Sequence, residues 1–252
     1  MRRALAVLLG VLLFGAARVP AEHALFAQRA RLHLTAVPPD LSLREQIGQL
    51  GFIAALSGFR ALVADVLFIQ AHVAWERTEW SRVLLLFRQV TALQPHGILF
   101  WDTAAWHMAW NASAAALRDP TQPHQALRQK AARAYIDLGR DFLERGIRNN
   151  PDNPKLYEAL ARLYRDKYND HARASEYFAL AASKPGAPTY VKRFAAYELS
   201  YGEGREAEAY QLLLRLYRSG EKERLPTLIR RLKYLEERLN VPTSERIPDE
   251  VR

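Results

Sequence analysis

The hydrophobic pattern divides the chain into one unbroken apolar run followed by a series of amphipathic helical segments. Ala4 to Ala17 holds only Leu, Val, Ala, Gly and Phe, directly behind Arg2 and Arg3. Further on, Leu43, Ile47, Leu50, Ile53 and Ala54 recur at helical spacing and predict an amphipathic helix over 43–56, with Asp40 or Ser42 as its cap and Glu45 in its first turn. Ser57-Gly58 interrupts it and Phe59 opens the next segment. Gly51 to Trp75 is apolar enough to suggest a membrane span, but Arg60 and Asp65 lie inside it, each costly at a bilayer centre. The stretch therefore reads as soluble core, with Arg60 and Asp65 paired near one end of a helix. Beyond it, turn signals separate helices in pairs. Glu76 to Glu79 forms the first turn and Asp119-Pro120-Thr121-Gln122-Pro123 a loop, with a long helix from about Gln125 to Asn149. Further helices cover about 188–201, 205–218 and 225–239, and Val241 to Arg252, with Pro242 and Pro248, reads as a loose tail.

The spacing within these pairs resembles the tetratricopeptide repeat, a helix–turn–helix unit of about 34 residues that ends on a proline. Counting back from Pro95 places Leu67 at the first large position, Ala71 at the small one and Phe87 at the aromatic one, with Val83 and Val90 where alanines usually sit. Trp101 falls at the tryptophan position of the next unit, followed by Ala104, Ala105 and Met108. Tyr157, Leu160, Ala161 and Tyr164 match the first helix of a third unit; Ala174, Phe178 and Ala181 match its second helix after one extra residue in the turn. The resemblance implies an all-α fold, a right-handed α-solenoid of helix hairpins, over residues 43–239. Its repeats are 64–97, 98–153 with an insertion between Asn111 and Leu138, 154–187 and 188–219, closed by a cap helix at 225–239, with 240–252 as the tail. Gly58-Phe59-Arg60 through Trp106-His107-Met108-Ala109-Trp110-Asn111, behind an N-terminal apolar segment, also looks like a group of uncharacterised bacterial membrane-associated tetratricopeptide proteins.

Two arginines before the apolar run fit a secretory signal. Val19-Pro20-Ala21 supplies a cleavage site, so residues 1–21 are either a signal cut after Ala21 or a single retained anchor, followed by a connector over 22–42. Either reading directs the chain to a bacterial envelope, exported or held in the inner membrane with a periplasmic domain. The composition, 49% hydrophobic and 25% charged, fits an ordered protein. The net charge of +9 is interleaved with Glu and Asp, which makes most of it solvated helix faces. The absence of cysteine excludes disulfides, thiolate metal sites and cysteine nucleophiles.

No motif for metalloprotease, P-loop, serine-hydrolase or dinucleotide chemistry occurs, and the seven histidines have no metal-ligand spacing. The sequence thus predicts no catalytic residue, no metal and no cofactor. The repeat resemblance instead implies a concave groove lined by the first helix of each unit: Asp65, Phe68, His72, Trp75 and Glu76; Leu99, Asp102, Trp106, Ala109 and Trp110; Lys155, Glu158, Arg162, Arg165 and Asp166. Within it Phe68, His72, Trp75, Trp106, Trp110, Arg162 and Arg165 are the candidate contacts, because aromatics and arginine dominate protein-binding hot spots. The competing reading folds helix 43–56 or the insertion over these tryptophans and makes them core. Trp101 is core by its repeat position. The expected function is a non-enzymatic scaffold for a protein or peptide. An alternative binds anionic lipid or nucleic acid through Arg215, Arg218, Arg224, Arg230, Arg231 and Lys233, although an export signal argues against nucleic acid.

Overall fold

The computed structural model describes residues 59–248, together with the isolated Gln28. The signal or anchor, the connector and helix 43–56 lie outside the described residues. Within them all regular structure is helical, and no helix is long and apolar enough to cross a membrane. Helix α1 spans Arg60–Glu76 and α2 Trp80–Leu93. Helix α3 begins as Ile98–Trp106, passes through a π-helical turn at His107–Ala112 and resumes as Ser113–Leu117. Helix α4 is Gln125–Asn149. Helix α5 is Pro154–Leu163 and runs on through a second π-helical turn, Tyr164–Tyr168. Helices α6 (His171–Ala182), α7 (Tyr190–Leu199), α8 (Glu206–Arg218) and α9 (Pro226–Arg238) complete the set.

The boundaries follow from local chemistry. Between α1 and α2 the chain reverses through Thr78 at φ 57, while the Glu79 amide donates to Ala74 O at 2.9 Å. Asn153 caps α5 by accepting from the Lys155 amide at 3.0 Å, with Pro154 at the first helical position, where its missing N–H costs nothing. Asp170 caps α6 through the Arg173 amide at 2.9 Å, directly after Asn169 has turned left-handed at φ 54.

Each helix packs on its chain neighbour, and odd-numbered helices also touch: α3 meets α5, and α7 meets α9. The main core joins α1 through α6 around Leu67, Phe87, Trp101, Met108, Phe142, Leu143, Leu156 and Leu160. Trp101 is 1% exposed, its indole N–H donating to Pro95 O at 2.8 Å. The same carbonyl accepts from the Asn150 side chain at 3.0 Å, tying the α2–α3 loop to the α4–α5 loop. Glycines let α4 lie close against α3. A Cβ on Gly139 would sit 2.7 Å from Ala109 Cβ and 2.9 Å from Ala105 O, and one on Gly146 would sit 2.9 Å from Trp101 Cβ. The expected insertion therefore adds no separate unit; it lengthens both helices of the α3–α4 hairpin.

A small cluster of Tyr157, Ala161, Phe178, Ala181 and Val191 carries the packing on to α7. A third, built on Leu199, Leu213, Leu228, Leu232 and Leu235, holds α7 to α9. Three expectations change here. Residues 241–248 are docked, not loose: the Ile247 amide donates to Glu236 Oε1 at 2.7 Å, Lys233 Nζ donates to Ile247 O at 2.8 Å, and Ile247 is 5% exposed. Among the described residues no ion pair joins Arg60 to Asp65; both side chains lie on the exposed side of α1. The extra residue expected in the turn of 154–187 lies inside the first helix, whose last turn, Tyr164–Tyr168, is π-helical.

Candidate functional site

Helices α3 and α5 enclose a cavity of about 510 Å³ lined by Asp102, Thr103, Ala105, Trp106 and Trp110 on one side, with Ala159, Arg162, Arg165 and Asp166 opposite. Four of the seven predicted contacts, Trp106, Trp110, Arg162 and Arg165, meet in this one concavity. Trp106 is exposed, so the insertion does not cover it; Trp110 is half-buried, with Lys167 Nζ 5.3 Å from its ring centre.

The other three, Phe68, His72 and Trp75, stand beside the cavity in a continuous aromatic cluster. Phe68 meets Phe87 at 5.9 Å and Phe100 at 5.2 Å, and His72 meets His107 at 5.6 Å. Trp75 meets His107 at 5.2 Å and Trp106 at 6.4 Å. All three are partly buried against the α1–α3 packing, and Trp75 backs Trp106 directly. Ala109 and Glu158, also expected on the groove, are buried instead. Ala109 faces Gly139 of α4, and Glu158 accepts from Tyr190 Oη at 3.1 Å while pairing with Arg162 at 3.3 Å.

Charges alternate along the α5 side. Arg165 donates to Asp166 at 2.6 Å and reaches Glu198 of α7 at 3.9 Å, and the bond to Asp166 holds its pKa above the ordinary arginine value. Glu198 also takes the His171 ring nitrogen at 2.7 Å. Arg165 is thus fixed, whereas Arg162 keeps 49% of its side chain exposed and is the cation best placed to meet a ligand. Across the cavity, burial raises the Asp102 carboxyl above its usual range, with Arg162 as the largest opposing influence. Asp102 is nonetheless an exposed residue, so crowding by the concave wall, and not a sealed interior, is what desolvates it.

His107 was not singled out in the sequence. It is 1% exposed among Trp75, Phe87 and Trp106, and burial, followed by neighbouring His72, lowers its pKa to about 4. Its ring is therefore neutral at pH 7, contacted by Asn111 Nδ2 at 3.2 Å from Nδ1, with Nε2 buried and unpaired. A histidine inside an apolar helical run was the one available signal.

Among the described residues no group of three or more His, Asp or Glu side chains is placed to hold a metal ion. Of the basic C-terminal residues, Arg231 donates to Ser200 Oγ at 2.8 Å and to the Ser200 carbonyl, Arg224 donates to Tyr217 O at 3.2 Å, and Lys233 is bound to Ile247. These contacts hold α9 and the tail in place. Arg215, Arg218 and Arg230 are exposed. Comparison with family models, with curated proteins and with solved structures finds no match to this chain.

Proposed function

We propose that this chain is a tetratricopeptide-type scaffold, a right-handed α-solenoid without catalytic activity that binds a protein or peptide partner in a bacterial envelope assembly. Residues 4–19 tether it to the membrane or direct its export, and the partner docks in the cavity between α3 and α5. One observation carries the reading: the cavity joins Trp106 and Trp110 to Arg162 and Arg165, the residue types that contribute most at protein interfaces. An exposed indole backed by a braced aromatic cluster presents apolar area at low entropic cost, and Arg162 offers a planar set of donors for a carboxylate. The occupant that fits is a peptide segment with an apolar side chain beside an acidic one.

Cross-linking of the full-length protein in its native membrane, with the partners identified by mass, tests this. Trp106→Ala plus Trp110→Ala, and separately Arg162→Glu, are expected to lose the partner while the helical circular dichroism is retained. Partners unchanged in both variants would refute groove binding. The salt response separates this mode from binding to an anionic polymer, which weakens steeply as counterions are retained at high salt.

A further inference from the structure

Helix α1 is apolar on two sides. Ala64, Leu67, Ala71 and Ala74 are buried toward α2, while Leu62, Val66, Ile69 and Val73 form a second stripe, 39 to 63% exposed, with Phe59 at its start. A helix that is hydrophobic all round is normally buried on every side, so this stripe calls for a cover. Its place in the sequence suggests one. The predicted helix 43–56 is separated from α1 by three residues, and a connection as short as Ser57-Gly58-Phe59 leaves consecutive helices antiparallel and adjacent.

The two stripes are also mirror images about Gly58. Leu43, Ile47, Leu50 and Ala54 lie as far before it as Val73, Ile69, Val66 and Leu62 lie after it. Each stripe covers three turns, about 16 Å of helix, so the four pairs stand level when the helices run antiparallel. We infer that residues 43–56 form a helix that packs on the exposed face of α1, seating Leu43 on Val73, Ile47 on Ile69, Leu50 on Val66 and Ala54 on Leu62. Arg44, Glu45 and Gln49 then face outward. The proposal does not rest on the scaffold reading, because no residue of the stripe lines the cavity.

The chain contains no cysteine, so introduced thiols give an unambiguous readout. In the full-length protein, Ile47→Cys with Ile69→Cys, and Leu50→Cys with Val66→Cys, are expected to close intramolecular disulfides under mild oxidation. Closure should be at least about tenfold faster than for Glu45→Cys with Ile69→Cys, because a tethered pair reacts at high effective concentration only when the geometry brings the thiols together. Ile69→Cys alone should resist a water-soluble maleimide in the folded protein. Equal closure of the control pair, disulfides formed between two chains, preferential labelling of Ile69→Cys by a lipid-phase reagent, or full reactivity with maleimide would each overturn the inference. The third of these would assign the stripe to the bilayer and the second to another copy of the chain.

Discussion

The two halves of the helical array are held together by different means. From α1 to α6 the core is built on large side chains; Trp101, Phe87, Phe142, Phe178 and Met108 are all fully buried, and α3 and α4 approach within glycine distance. From α7 to α9 the buried residues are mainly leucines, and polar bonds finish the packing. Arg231 satisfies the end of α7 at Ser200 and stacks 4.0 Å from Tyr201 and 4.6 Å from Tyr234, while Glu236 and Lys233 hold the chain at Ile247. Among the described residues the first half also carries apolar side chains outside this core, on α1 and at Trp106. The second half presents Arg, Lys and Glu outward, with Tyr201, Leu225 and Tyr234 exposed among them. Shape-matched packing thus governs the half that bears the cavity, and polar contacts finish the packing from α7 to α9.

Substitutions can break this contrast in order of effect. Trp101→Ala removes the largest buried side chain and orphans the Pro95 carbonyl from one of its donors; a loss of about 3–5 kcal/mol is expected by denaturant unfolding. Acid titration comes next. The folded-state pKa of His107 lies below its unfolded value, so its contribution to stability is present above about pH 6.5 and is lost as the pH falls toward 4. The slope in that window is at most about 1.4 kcal/mol per pH unit, since the unfolded chain binds the extra proton there. Unfolding curves between these pH values should flatten in His107→Phe, and an unchanged slope would refute the assignment to His107.

Smaller effects test the close approach and the polar bonds. Gly139→Ala places a methyl 2.7 Å from Ala109 Cβ and 2.9 Å from a backbone carbonyl. Overpacking should outweigh the better helix propensity and cost about 1–3 kcal/mol. Gain of stability there would mean that α3 and α4 can separate freely. Arg231→Met keeps most of the side-chain volume but removes the donors to Ser200, for a loss of about 1–2 kcal/mol confined to the second half. Hydrogen exchange should locate that loss in α7–α9 and leave α1–α6 protected.

Helix positions were legible in the sequence wherever a local signal fixed them. The long helix Gln125–Asn149 was visible in its unbroken helical period, and the third helix pair was placed from Pro154, where α5 begins. Trp101 was legible as core because repeat spacing and burial agree there. What depended on distant partners was not. Glu158 is occupied by Tyr190, thirty-two residues away, and Glu236 by the Ile247 amide, so a residue that looked like groove lining and a segment that looked like a loose tail are both internal. Nor does spacing alone reveal a π-helical turn. The extra residue in 154–187 was countable, but whether it widened the helix or lengthened the turn depends on packing against α4 and α6.

Those two π-helical turns have a consequence for how the cavity is aimed. Trp110 belongs to the turn in α3, and Arg165 and Asp166 to the one in α5. One residue of an α-helix corresponds to about 100° of rotation, so each turn acts as a phase adjuster for everything beyond it. The start of each helix keeps its azimuth against the core, while the later side chains are swung to a new bearing. The cavity can be re-aimed by gaining or losing a single residue in α3 or α5, with Trp101 and Leu156, which precede the two turns, left where they are.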